Sequence, residues 1–254
     1  IKQDIKQKNT ILINILTRTS NRPNSFLKCR NMIIKQTYPY IRHLVSVDDS
    51  YTSKYVSNYI YKTDIIQVKQ KKNISNSFFP NLYCNTLLDN VTNGWIMFLD
   101  DDDILINKKT IEDIVSYVTN KNYLYIWKTN VHGIIRPNSN SIKKDDCPSF
   151  CFLFHWSYIS SYKLIWHNIK GGDYHFIKQL SDKLPIIWIN KIMTKTQNIL
   201  KGNGKRIDSM EKIKPLFILS KYGIIKKIKY EKNKNIHITN WYTLKVYIYI
   251  PIMQ

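Results

Sequence analysis

The chain has 254 residues, 43% of them hydrophobic and 13% aromatic, and a formal net charge of +21 at pH 7. That length buries one sizeable core, as a single large α/β domain, and no apolar run approaches the roughly 20 residues that would make the chain a membrane-spanning one. The basic surplus draws in anions such as nucleotide diphosphates, nucleic acid or acidic lipid headgroups without choosing among them, and part of it reflects a compositional bias in which alanine is absent.

In chain order, Ile11 to Leu16 reads as a strand, Asn24 to Lys35 as a helix, Ile41 to Val47 as a strand and Ile65 to Val68 as a short one. Pro80 opens a helix to about Val91, because proline suits a first turn. Trp95 to Leu99 is a strand, Lys108 to Thr119 a helix with Ile111, Ile114, Val115 and Val118 at helical spacing, and Asn122 to Lys128 a strand. The alternation predicts an α/β fold with a mostly parallel sheet, helices on both faces, and ligands at the carboxyl ends of the strands. Thr17 to Thr19, Asp48 to Ser50 and Asp100 to Asp103 all fall at such ends.

The second half is less regular. Gly133 to Asp146 is loop-like, Ser149 to Ile159 is rich in aromatics, and Asp173 to Leu180 starts a helix. Beyond Lys201 the chain is dense in lysine, and Ile224 to Tyr230 reads as a solvated face or edge strand, with contact to a membrane surface as the alternative. Cys29, Cys84, Cys147 and Cys151 are spaced for neither a zinc site nor a disulfide framework, and are expected to be buried thiols of an intracellular protein. Because the first residue is Ile1, the chain is also compatible with a piece of a longer protein.

The run Trp95-Ile96-Met97-Phe98-Leu99 ends in four consecutive aspartates, Asp100 to Asp103. Like charges that close repel unless a cation lies between them, so a divalent ion such as Mg²⁺ or Mn²⁺, which takes oxygen ligands and accepts phosphate oxygens, is the expected partner. A solvated acidic turn is the plainer alternative.

The segment Thr17-Arg18-Thr19-Ser20-Asn21-Arg22-Pro23, then Phe26-Leu27 and Cys29, Gln36-Thr37-Tyr38-Pro39 and Val45-Ser46-Val47-Asp48-Asp49-Ser50, resembles the opening of an inverting GT-A glycosyltransferase of family 2. Asn85, ten residues before the strand leading into Asp100-Asp101-Asp102, resembles that family's helix and DxD motif. The likeness covers about residues 10 to 180, densely up to Asp103. Asn93 stands where the family usually has glycine, with Gly94 next to it, and the acid that usually accompanies the catalytic aspartate is replaced in Gly172-Asp173.

The resemblance implies a GT-A fold over residues 1–254, with a nucleotide-sugar half at 1–130 and an acceptor half at 131–254. It implies that Thr17, Arg18 and Thr19 line the base and ribose pocket, that Arg22 approaches the phosphates, and that Asn85 belongs to the donor site. Asp49 accepts from the base, with Asp48 structural. Asp101 holds the ribose or the metal, while Asp102 with Asp100 or Asp101 ligates Mn²⁺ or Mg²⁺. Asp173 takes the acceptor proton, with an ordinary helix cap as its other reading. His155 and Trp156 would face the acceptor, where an aromatic stacks on a sugar, core packing being the commoner fate. His237 is a remote ligand candidate left outside this set. The donor is a nucleotide diphosphate sugar, UDP-linked, and the acceptor a hydroxyl of a glycan, lipid or protein. The expected setting is cytoplasmic, soluble or peripherally bound to a membrane through the basic C-terminal segment.

Two rivals use the same residues differently. A haloacid-dehalogenase-like phosphatase would take Asp100 as nucleophile and Asp102 as acid, but three strands precede the loop that should end its first strand. A basic nucleic-acid-binding protein accounts for the charge and the tyrosines and leaves the aspartates without a purpose.

Overall fold

Strand β1 (Ile13–Arg18) is buried along nearly its whole length and pairs in parallel on both sides, with β2 (Ile41–Val47) and with β4 (Trp95–Phe98). Continuous apolar character without alternation is what a strand covered on both faces requires. β3 (Thr63–Gln67) extends the parallel set beyond β2. The computed structural model describes residues 11–58, 63–68 and 79–197, together with two short strands nearer the C-terminus.

Helix α1 (Pro23–Ile34) connects β1 to β2, with proline in its first turn, and buries Phe26, Leu27, Cys29 and Ile33. α2 (Ser50–Ser57) follows β2, and α3 (Tyr83–Asp89), preceded by a 3₁₀ turn at Phe79–Leu82, leads to β4. Between α3 and β4 the chain turns at Gly94, whose φ of +82° suits glycine, and a Cβ there would lie 2.7 Å from the Leu12 carbonyl oxygen. Gly94 therefore supplies the turn that Asn93, in the family's glycine position, does not.

The parallel reading holds for β3, β2, β1 and β4, and the rest of the sheet is mixed. β8 (Phe152–His155) pairs antiparallel with both β4 and β6 (Leu124–Val131), and β6 runs parallel to β9 (Ile186–Thr196). β5 (Asp103–Leu105) lies antiparallel against β9, and β7 (Ile134–Arg136) folds back on β6. The full order is β3-β2-β1-β4-β8-β6-β9-β5. α4 (Thr110–Tyr117), the short α5 (Tyr158–Ser161) and α6 (Gly172–Ser181) are the remaining α-helices among the described residues.

The main core runs along β1, β4, β6 and β8, with Ile15, Met97, Tyr125 and Phe154 fully buried. Phe98, Phe152, Trp166 and Phe176 meet in one aromatic cluster, with the Trp166 and Phe176 rings stacked at 4.7 Å. All four cysteines are buried free thiols. Among the described residues no helix is long and apolar enough to cross a membrane.

The chain divides into two compact units, Ile1–Glu211 and Lys212–Gln254. In the second, β10 (Phe217–Leu219) and β11 (Ile225–Lys227) form an antiparallel ribbon. Within the basic stretch Ile224 to Tyr230, residues 225–227 are therefore strand. The rest of that stretch and His237 lie outside the described residues.

Candidate active site

Because β1 is flanked by β2 on one side and β4 on the other, the connections leave it in opposite directions and open a crevice at its carboxyl end. The aspartates are delivered to that crevice. Leu99 N–H donates to the Leu16 carbonyl at 3.0 Å, extending the ladder past β4, and Asp103 N–H closes a turn on the Asp100 carbonyl at 3.0 Å.

Two arginines, Arg18 at the end of β1 and Arg22 at the start of α1, pair with three of these carboxylates. Arg18 Nε donates to Asp100 Oδ1 at 2.9 Å and Nη2 engages Oδ2, a two-point fork, while Nη1 donates to Asn81 Oδ1 at 3.0 Å. The Arg18 guanidinium lies 5.8 Å from the centre of the Trp166 ring. Arg22 spans the next two acids, with Nη1 to Asp102 Oδ2 at 2.7 Å and Nη2 to Asp101 Oδ1. Asp101 is fully buried and also accepts from Thr19 Oγ1 at 2.7 Å, while Thr19 meets Tyr55 OH at 2.7 Å. The Asp102 side chain remains 42% exposed.

The charges follow from these contacts. Burial raises a carboxyl pKa, but Arg18 overrides that effect on Asp100 and holds it below the ordinary carboxylate range. On Asp101 burial wins over Arg22, with Asp102 and Asp100 adding to it, and the pKa rises well above the ordinary value. Asp103 is driven the same way by burial and by its three acidic neighbours. Burial opposes the charges on Arg18 and Arg22, but the aspartates outweigh it and both stay protonated.

Asp173 stands in the first turn of α6 and accepts from Ser149 N–H at 3.2 Å. Burial raises its pKa, Arg18 pulls it back, and Asp100 raises it again, so Asp173 shares the field of the aspartate turn. Gly172 beside it allows close approach, since a Cβ there would lie 2.4 Å from Asn81 Nδ2. Asn81 in turn donates to the Ile169 carbonyl at 3.2 Å.

Several expected site residues have other work. Thr17 is fully buried, donating to the Leu99 carbonyl at 2.7 Å and meeting His43 Nε2 at 2.8 Å, so it ties β1 to its neighbours instead of lining a pocket. Asn85 grips the Trp166 backbone with both ends of its amide, Nδ2 to the carbonyl at 3.0 Å and Oδ1 from the N–H at 2.8 Å. It positions the loop beside Arg18, and these two backbone bonds give the Asn85 amide a structural task. Asp49 caps α2, accepting from Thr52 N–H at 2.7 Å and Thr52 Oγ1 at 2.8 Å. Asp48, expected to be structural, accepts from Tyr83 OH at 2.9 Å through Oδ2, and its buried Oδ1 has no hydrogen-bond partner. Asp100, expected to ligate metal, instead has both carboxylate oxygens engaged by Arg18.

His155 and Trp156 lie at the opposite rim. β8 is antiparallel to β4, so His155 pairs with Trp95 at the amino end of β4, and Trp156 N–H donates to the Gly94 carbonyl at 3.0 Å. Trp95 precedes Asp100 by five positions, roughly 16 Å at ~3.3 Å per residue of strand. These two residues do not face the crevice.

Sequence reading missed Asn81, Tyr55, Tyr83, Trp166 and Gln197. Gln197, at the end of β9, donates through its backbone N–H to the Asp102 carbonyl at 2.7 Å and through Nε2 to the Asp101 carbonyl at 2.8 Å. No local pattern marks such partners, which come together only through the sheet.

A family model, Glycosyl transferase family 2, matches residues 15–180. No curated protein matches. Among solved structures the chain is similar to S. aureus TarS 1-349, at 14% identity and a TM-score of 0.59, covering 74% of this chain and 60% of that one. It is similar to the same protein in complex with UDP-GlcNAc, at 14% identity and a TM-score of 0.60, covering 81% and 62%. A mannosyltransferase from Pyrobaculum calidifontis, in complex with GDP-Man and Mn²⁺, matches at 11% identity and a TM-score of 0.55, covering 77% and 59%. The chain thus spans about 60% of the length of these structures, and the likeness establishes the GT-A fold.

Proposed function

The chain belongs to glycosyl transferase family 2, and from that premise we propose that it moves a sugar from a nucleoside diphosphate donor to an acceptor hydroxyl, inverting the anomeric centre with the help of a divalent metal. The observation that carries this reading is Asp102, a carboxylate of the aspartate turn left 42% exposed at the crevice between β1, β2 and β4. Residues up to about 130 would hold the donor, and the acceptor would be bound by residues from the later part of the chain.

The donor set fits a hard cation through Asp102. Mg²⁺ and Mn²⁺ are commonly held by one or two carboxylates, with water and substrate phosphate oxygens filling the remaining positions. Asp100, forked by Arg18, and the enclosed Asp101 are not offered in the same way. When bound, the metal would stabilise the charge that builds on the departing diphosphate.

The chain's own residues supply the rest. Arg22, reaching the turn from the start of α1, is placed to meet the diphosphate. Asp48, with an unpartnered Oδ1, is assigned to accept from the base, and Asp49 to hold that turn in place through the α2 cap. Asp173 is assigned the acceptor proton, because a buried carboxyl with a raised pKa is a better base near neutral pH than an ordinary one. The Ser149 N–H fixes the orientation of its carboxylate.

UDP is the first donor base to test and GDP the second. Calorimetric titration of UDP, GDP and a phosphomonoester, with Mn²⁺ and then with a chelator, should show one nucleoside diphosphate binding only with metal. Asp102→Asn should abolish that binding, and Asp173→Asn should spare it while removing transfer. Absence of nucleotide binding, or preference for the phosphomonoester, would overturn the reading.

A further inference from the structure

We infer that Arg22 is a displaceable counter-ion of the aspartate turn, holding Asp102 until a divalent metal takes that carboxylate and then passing its charge to the donor diphosphate. The inference rests on the metal-dependent transferase reading above and concerns how the same site is kept closed without ligand.

The two arginines of the site are held very differently. Arg18 makes a two-point fork with Asp100, a third bond to Asn81 and a face contact with Trp166, so it is held from three directions. Arg22 splits its fork between two acids. One of them, Asp101, is enclosed and has Thr19 as a further partner, whereas Asp102 is 42% exposed and, among the described residues, its only ion pair is the one with Arg22. An ion pair open to water is weak, and its carboxylate is the one an incoming cation can reach.

The backbone of Arg22 is fixed independently of its side chain. Its carbonyl accepts from Phe26 N–H at 2.9 Å and its N–H donates to Tyr55 OH at 3.4 Å, while its side chain caps nothing in α1. The guanidinium can therefore leave Asp102 without unwinding the helix. Two cations on one carboxylate repel, so a metal at Asp102 and Arg22 at Asp102 exclude each other. Displaced alone, Arg22 loses a partner. Displaced in the presence of a diphosphate, it gains a doubly anionic one. Metal and nucleotide binding are then coupled through this side chain, and the coupling must be reciprocal.

The test is Mn²⁺ binding without nucleotide, followed by electron paramagnetic resonance of free Mn²⁺, in the wild type, Arg22→Gln and Arg22→Lys, with circular dichroism confirming the fold. Arg22→Gln should bind Mn²⁺ about tenfold more tightly than the wild type, within the usual range of coupling, and should lose most of the enhancement that UDP gives. Arg22→Lys keeps the charge but cannot fork across both acids, so it should fall between the two and carries the comparison if the glutamine variant does not fold. Asp102→Asn should bind no Mn²⁺ at the turn. Equal or weaker Mn²⁺ binding in Arg22→Gln, beside a wild type that binds UDP only with Mn²⁺, would overturn this inference and leave the transferase reading standing. A wild type that binds no nucleoside diphosphate with Mn²⁺ would overturn both.

Discussion

Replacing Asn85 by alanine separates a structural role from a ligand contact. The amide satisfies both the N–H and the carbonyl of Trp166, a residue with no exposed surface, so Asn85→Ala leaves two buried backbone groups without partners. Each such group costs about 1–3 kcal/mol, and because these bonds are only part-buried, about 3 kcal/mol for the two is a fair expectation. For a fold of this size about 2–4 °C is lost per kcal/mol, giving a fall in Tm of roughly 6–12 °C. Asn85→Asp retains an acceptor for the N–H but no donor for the carbonyl, and should also be destabilised. The assay is thermal unfolding paired with calorimetric nucleotide binding well below the transition. A variant with unchanged Tm and binding weakened tenfold, about 1.4 kcal/mol, would show that Asn85 touches the donor and that the Trp166 bonds are incidental.

His155→Ala and Trp156→Ala should leave nucleotide binding and transfer rates at their wild-type values when measured in a steady-state assay, because both lie at the far rim. A large rise in acceptor KM for either would place the acceptor at that rim after all. Asp103 should make stability depend on pH. Its carboxyl is pushed above the ordinary range by burial and then by Asp102, Asp100 and Asp101, so the folded state holds the proton more tightly than the unfolded one. That contribution is complete below the ordinary carboxylate range and is lost as pH rises through the raised value. Asp103→Asn, neutral throughout, should therefore gain on the wild type as pH increases, in urea melts run at a series of pH values. A gap that stays constant or narrows would contradict the raised value.

How far the sequence carried depended on whether the signal was local. Ile41–Val47 is a strand in pattern and in structure, and β1, α1 and β4 lie within two residues of where their apolar spacing puts them. Helix α2 is only eight residues long, and its buried face of Thr52, Tyr55 and Val56 is short and partly polar, so the cap at Asp49 is its clearest local mark. β8 lay hidden in an aromatic run, and without it the direction of His155 could not be known. The aspartate turn itself was legible, since four acids after a buried strand are a local fact. Its neutralisation was not, because Arg18 and Arg22 stand about eighty positions earlier in the chain. The four carboxylates do crowd one another, but two guanidiniums supply much of the counter-charge and leave less of it to a metal.

The strap from Gln197 sets a timetable. Its side chain reaches the Asp101 carbonyl across 96 positions and the Ser25 carbonyl across 172, and its own N–H holds Asp102. Contacts so distant along the chain are slow to form, because the closure of long loops must precede any gain from them. A nascent chain that has emerged only as far as α6 already contains both arginines, all four aspartates and Asp173, yet it lacks the Gln197 bonds to the Asp101 and Asp102 carbonyls. Those bonds to the turn and to α1 form only when the end of β9 is in place, so the last strand of the described sheet closes the back of the crevice.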